Sequence, residues 1–261
     1  MIAAETSAAD FKIRAAGMTR RFDDVLALDR VNLSIAKGEF VSFLGPSGCG
    51  KSTMLRCIAG LDRPSGGILE IDAAPVDGPP SDLGLALQRD ALLDWMDVLD
   101  NVLLPADFRG EPRQQHEARA RDLLGRVGLQ DFIHAYPHSL SGGMRQRVAI
   151  CRALLLTPGL LLMDEPFGAL DALTRDQLNV DLRKLWEAEK MTVIFVTHSI
   201  SEAVFLSSRV VVFRPRPGQI VDDVPIELAG ERRLAVREEP EFGTLTRHFR
   251  SRFEQMGVIH E

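Results

Sequence analysis

Residues 45–52 read GPSGCGKS, and no other stretch limits the possible folds of this chain so strongly. The octapeptide fits G-x-x-x-x-G-K-[ST]. It lies between FVSFL (40–44), an apolar run of buried-strand length, and a helical segment that ends near Gly60. The glycines let backbone N–H groups converge on phosphate oxygens with no Cβ in the way, and the helix N-terminus adds partial positive charge. In that context Lys51 reaches the β- and γ-phosphates of a nucleotide, and the Ser52 hydroxyl ligates magnesium. Gly45, Pro46, Ser47, Gly48, Cys49, Gly50, Lys51, Ser52 and Thr53 are the candidate nucleotide-binding residues.

A phosphate loop of this kind needs an acidic partner, and LLLMDEP (160–166) supplies one. Its apolar run places Asp164 at the tip of a buried strand, where it can hold magnesium through water. Glu165 follows, in position to polarise a water in line with the γ-phosphate. Read alone, the pair is better taken as a strand end that caps the helix behind it; the phosphate loop upstream reverses that preference. His198 ends TVIFVTH (192–198); a histidine there is often a plain edge residue, but a strand parallel to LLLMD would bring it to the same sheet edge. Gln88 follows a β-like segment in LALQRD and is a candidate for the magnesium or the attacking water.

Strands alternating with helices predict an α/β core on a largely parallel sheet. Residues 10–88 and 158–214 make up that core with its β segments, 89–157 read as a mostly helical inserted lobe, and 215–261 as a charged, weakly helical tail. Of the 261 residues, 45% are hydrophobic and 26% charged, as in an ordinary globular protein. A net charge of -6 argues against nucleic acid as the partner. The three cysteines (Cys49, Cys57, Cys151) lack metal-ligand spacing and suit a reducing compartment. No apolar run reaches bilayer-spanning length, and MIAAETSAADFKIR does not have the form of a signal peptide, so a cytoplasmic location is expected.

Together these pieces resemble the ATP-binding subunits of ABC transporters, over nearly the whole chain and in order. GPSGCGKST looks like the Walker A loop, Gln88 the Q-loop glutamine, LSGGMRQ (140–146) the signature, LLLMDEP Walker B, GALD (168–171) the D-loop and His198 the switch histidine. Phe22 looks like the aromatic that stacks on adenine. The resemblance implies a P-loop NTPase (RecA-like) core with an N-terminal antiparallel β subdomain and an inserted α-helical subdomain. It also implies ATP and Mg2+ as cofactors, Glu165 as general base, and His198 and Gln88 as γ-phosphate and metal contacts.

LDNV, DEPFGALDALTRDQL, THSISEAVFLSSRVVVF and RPRPGQIV are similar to the branch serving nitrate, sulfonate and taurine importers; the tail EEPEFGTLTRHFRSRFEQ is similar to its taurine and sulfonate members. The sequence departs from that branch at Asp94, where Leu-Leu-Pro-Trp is usual and Leu92-Leu93-Asp94-Trp95 stands here. An importer of another solute, such as a pyrimidine precursor or bicarbonate, is the alternative. The implied partners are permease subunits at the cytoplasmic face of the bacterial inner membrane and, through them, a periplasmic or lipid-anchored substrate-binding protein. Trp95, Met96 and Leu99 are candidate permease contacts or, equally, a core face of the lobe.

One phosphate loop satisfies one triphosphate, so LSGGMRQ is redundant within a single chain. Its role makes sense if Ser141, Gly142 and Gly143 face the nucleotide of a second copy in a head-to-tail homodimer. The same residues also read as an ordinary helix N-cap, and a cap with free N–H groups is itself an anion site. Two rival classes fit less well. A non-transport ABC ATPase would carry coiled-coil insertions or two cassettes, and a small-molecule kinase would lack both the LSGG stretch and the Asp-Glu pair.

Overall fold

The computed structural model describes residues 11–168, 170–228 and 232–259; the N-terminal ten residues and Ala169 of the GALD segment fall outside it. A six-stranded sheet forms the centre, in the order β10-β9-β3-β8-β7-β6. These strands are β3 (Phe40–Leu44), β6 (Leu83–Ala86), β7 (Leu160–Asp164), β8 (Thr192–Thr197), β9 (Arg209–Arg214) and β10 (Gln219–Pro225). All pairings are parallel except that of β10 with β9. Beside it lies an antiparallel sheet, β2-β1-β4-β5, from β1 (Phe11–Phe22), β2 (Val25–Ala36), β4 (Gly66–Ile71) and β5 (Ala74–Pro75). This is the α/β core with an antiparallel β subdomain that the resemblance implies.

The continuous apolar runs follow from burial on both sheet faces. Side chains alternate along each strand, so each strand feeds two separate cores. Val41, Phe43, Leu160, Leu162, Ile194 and Val196 point towards the β subdomain and α1 (Lys51–Ile58). Phe40, Leu44, Leu161, Met163, Val193 and Phe195 point to the opposite face. That second core is closed by α2 (Val98–Arg109), α3 (Arg113–Arg126), α4 (Gly142–Leu154), α5 (Ala172–Glu189), α6 (Ile200–Leu206) and α7 (Pro240–Gln255).

Two regions differ from the sequence expectation. Helix begins only at Val98, because Asp97 caps α2 by accepting the Asp100 N–H at 2.8 Å. The buried Asn101 side chain then holds the preceding loop: it accepts from Leu93 N (2.8 Å) and donates to the carbonyls of Leu93, Met96 and Asp97. That loop leaves Trp95 74% exposed, whereas Leu99 joins the core. The supposed tail begins with a strand, since β10 extends the sheet at its edge before α7 packs Phe242, Phe249 and Phe253 inward.

Arg232 fastens this C-terminal segment to α6. It is buried, and its guanidinium donates to the carbonyls of Val204 (3.2 Å), Phe205 (3.1 Å), Ser207 and Ile226 (3.0 Å). Burial pushes its pKa down to about 10, so it stays charged at neutral pH, against carbonyls at the C-terminal end of a helix. Arg232→Met should therefore cost about 2–4 kcal/mol, because these carbonyls lose their donor. Urea denaturation with an unchanged midpoint would contradict this.

Candidate active site

Parallel registration brings the candidate residues to one edge. Leu44 pairs with Thr197 and Val212, Asp164 with Val196, and Ala86 with Met163. The four strand ends therefore release the phosphate loop, His198, Glu165 and Gln88 on the same side, as expected for ligand sites outside the carboxyl ends of an open α/β sheet.

A cleft of about 690 Å³ opens there. Its lining includes Ser47, Gly48, Gly50, Lys51, Ser52, Thr53, Gln88, Asp164 and Glu165. Gly50 is the N-cap of α1 at φ 98°, which aims the first N–H groups of the helix at the cleft. The Lys51 ammonium is buried and donates to the carbonyls of Gly45 (2.8 Å) and Pro46 (2.9 Å); Glu165 Oε1 lies 3.9 Å from it. Ser52 Oγ donates to Asp164 Oδ1 at 2.8 Å. Burial raises the Asp164 pKa and adjacent Glu165 adds to this, while Ser52 and Lys51 oppose it. Glu165 itself has φ 45°, with its N–H bonded to Val196 O at 3.0 Å, and its Oε2 lies 3.3 Å from His198 Nδ1. A non-glycine residue in this region is strained, and active sites are among the places where such strain is held.

Magnesium fits this donor set: a hydroxyl, a half-buried carboxylate and an amide oxygen are hard ligands. Among the described residues no group of three or more His, Cys, Asp or Glu forms a metal cage. A cation here would share its shell with phosphate oxygens and water, as magnesium commonly does.

Gly45, Pro46 and Cys49 of the phosphate loop and His198 flank the cleft without lining it, and Phe22 and the N-terminus of α4 also lie outside its lining. Phe22 pairs with Val25 at the tip of the β1–β2 hairpin, and the Arg20 guanidinium sits 4.1 Å from its ring centroid; Val25, Leu26 and Ala27 face the cleft instead. Ser141, Gly142 and Gly143 open α4, where Ser141 Oγ accepts the Met144 N–H at 3.3 Å. Ser141 and Gly142 are exposed, and Gly143 packs so tightly that a Cβ there would come 2.3 Å from Thr174 Cγ2. Behind His198, the Thr197 hydroxyl donates to buried Glu202 at 2.6 Å, and Arg175 lies 3.5 Å from the same carboxylate.

Sequence reasoning missed Arg216 and Pro217, which line the cleft from the β9–β10 turn. The signal was available. A strand parallel to β3 must release its following turn beside the phosphate loop, yet the shift in composition at Pro215 reads as the start of the tail.

Residues 28–168, just over half the chain, match the ABC transporter family. An uncharacterized ABC transporter ATP-binding protein of Methanocaldococcus jannaschii is 48% identical over 221 residues, 83% of each chain. The taurine import ATP-binding protein TauB of Rhizobium johnstonii is 46% identical over 234 residues, 87% of this chain and 88% of its own. A bacterial ABC transporter cassette solved as a dimer superposes with a TM-score of 0.72 at 34% identity, covering 83% of this chain and all of its own. The same cassette, solved in a post-hydrolysis state with ADP and phosphate bound, gives 0.69 at 33% identity over the same shares. With a cleft, a fold and relatives that agree along most of its length, this chain belongs to the ABC transporter family and is an ATP-binding, ATP-hydrolysing subunit.

Proposed function

We propose that the chain energises import of taurine or a related sulfonate or small anion, working as a homodimer on permease subunits at the cytoplasmic face of the membrane. The observation that carries the solute class is the 46% identity to TauB across most of both chains. No helix among the described residues is long and apolar enough to cross a membrane, so the transport path would belong to the permease. Exposed Trp95 remains available to such a partner, whereas Leu99 is buried.

In the proposed reaction a water oxygen attacks the γ-phosphorus, the bond to the bridging β-oxygen breaks, and ADP and phosphate leave. Glu165 orients the water and takes its proton; His198 holds that carboxylate and contacts the γ-phosphate. Lys51 and the N–H groups opening α1 neutralise charge on the β- and γ-oxygens. Ser52, Asp164 and Gln88 would hold magnesium, which supplies Lewis-acid neutralisation of the phosphates. Ser141, Gly142 and Gly143 complete the site of the second copy, a reading supported by the exposure of Ser141 and Gly142 and by nearby Leu173, an 83% exposed leucine at the start of α5. ATP then favours the closed dimer and hydrolysis reopens it.

The solute is tested by uptake. Cells lacking the gene should lose accumulation of labelled taurine, regained with the wild-type chain but not with Glu165→Gln. Taurine uptake that survives the deletion, in cells with no second taurine system, would remove this solute.

A further inference from the structure

We propose that Arg216 is a nucleotide-contact residue, its guanidinium covering the nucleoside end of the ATP cleft. Arg216 and Pro217 line the same cleft as the phosphate loop. The position of their turn is fixed by backbone contacts, with the Gln219 side chain donating to Asp29 beside them. Gly218 N donates to Ala27 O at 3.0 Å, Asp29 N donates to Gly218 O at 3.0 Å, and Leu28 and Gly218 form an isolated bridge. A Cβ on Gly218 would come 2.3 Å from Cys49 O and 2.8 Å from Ala27 O, so the turn is wedged between the phosphate loop and β2.

This wedge places Arg216 on the wall formed by Val25, Leu26 and Ala27, while Gln88, Asp164 and Glu165 come from the other strand ends. The triphosphate end already has Lys51, Ser52 and the helix N-terminus. The opposite wall offers aliphatic surface and one cation. Arg216 is exposed and makes no hydrogen bond, ion pair or ring contact with any described residue, unlike Arg209, which is engaged by Asp223 and Glu39. Its φ of 46° is a turn conformation that fixes the course of the backbone between β9 and β10.

A planar guanidinium suits this place. It stacks on aromatic faces, and a purine base is one; it can also donate to ring nitrogens or ribose oxygens. Phe22, the aromatic expected for adenine, has its ring under Arg20 and lies outside the lining. A cation over the base would supply the stacking surface that the cleft otherwise lacks.

The inference rests on the ATP cleft described above, and competition separates the two. Inhibition of ATP hydrolysis by ADP and by inorganic triphosphate is measured for the purified full chain and for Arg216→Ala, with melting temperatures alongside. The expected result is an inhibition constant for ADP raised about five- to tenfold, inorganic triphosphate unchanged within about twofold, and unaltered melting. The KM for ATP should rise with ADP while kcat holds, because stacking on the base is the same in ground and transition states. Equal weakening of both inhibitors would make Arg216 a phosphate contact and overturn the proposal, as would no change in either. If neither compound inhibits the wild-type chain, the cleft assignment itself fails and this inference with it.

Discussion

Glu165→Gln should retain nucleotide binding and lose steady-state turnover by at least about 100-fold, the scale of a missing general base. The substitution is isosteric, so the turn at the end of β7 and its N–H bond to Val196 O remain. What disappears is the negative charge facing two cations or potential cations: Lys51 at 3.9 Å and His198 at 3.3 Å. An amide can still accept a hydrogen bond from water, but it cannot take the proton released as the water attacks phosphorus. Loss of turnover with ADP affinity kept within a few-fold separates this role from one in binding. Turnover like that of the wild type would remove Glu165 from the chemistry and return it to the alternative, a strand-end residue beside the helix that follows.

Much of the fold was legible because this architecture writes itself in runs. FVSFL, LLLMD and TVIFVT are buried on both faces, so each is continuously apolar and unmistakable. The phosphate loop was legible because its glycines and lysine have fixed spacing between a strand and a helix. Elsewhere the determinants are long-range. The stretch before Val98 looks helical by composition, yet Asn101 holds it as a loop through four hydrogen bonds that no local propensity reports. RPRPGQ stands where the composition shifts towards the tail, and only the parallel pairing of β9 with β3 places its arginine at the cleft. Gly143 reads as turn chemistry in LSGG, but its immediate constraint is the close approach of α5 through Thr174.

The exposure of Ser141 and Gly142 supports the proposal that one chain holds half of each site it needs. Nothing in the chain's own cleft lining comes from α4. A head-to-tail pair would put each exposed α4 N-terminus against the other copy's phosphate loop. Ser141→Arg should then abolish hydrolysis, since a long cation would block the surface where the partner's γ-phosphate must sit. ADP binding to the monomer should remain, because that cleft is untouched. Lost capping could cost about 1 kcal/mol, which melting would reveal separately.

The decisive measurement mixes two inactive chains, Ser141→Arg and Lys51→Ala, and assays ATP hydrolysis. In their heterodimer the intact phosphate loop of the first meets the intact α4 N-terminus of the second, so one site is whole and the other is doubly broken. Activity should return on mixing, rise with the fraction of heterodimer, and be absent from either chain alone. Full hydrolysis by Ser141→Arg alone, or no activity from a mixture shown to form heterodimers, would contradict a site shared between two copies.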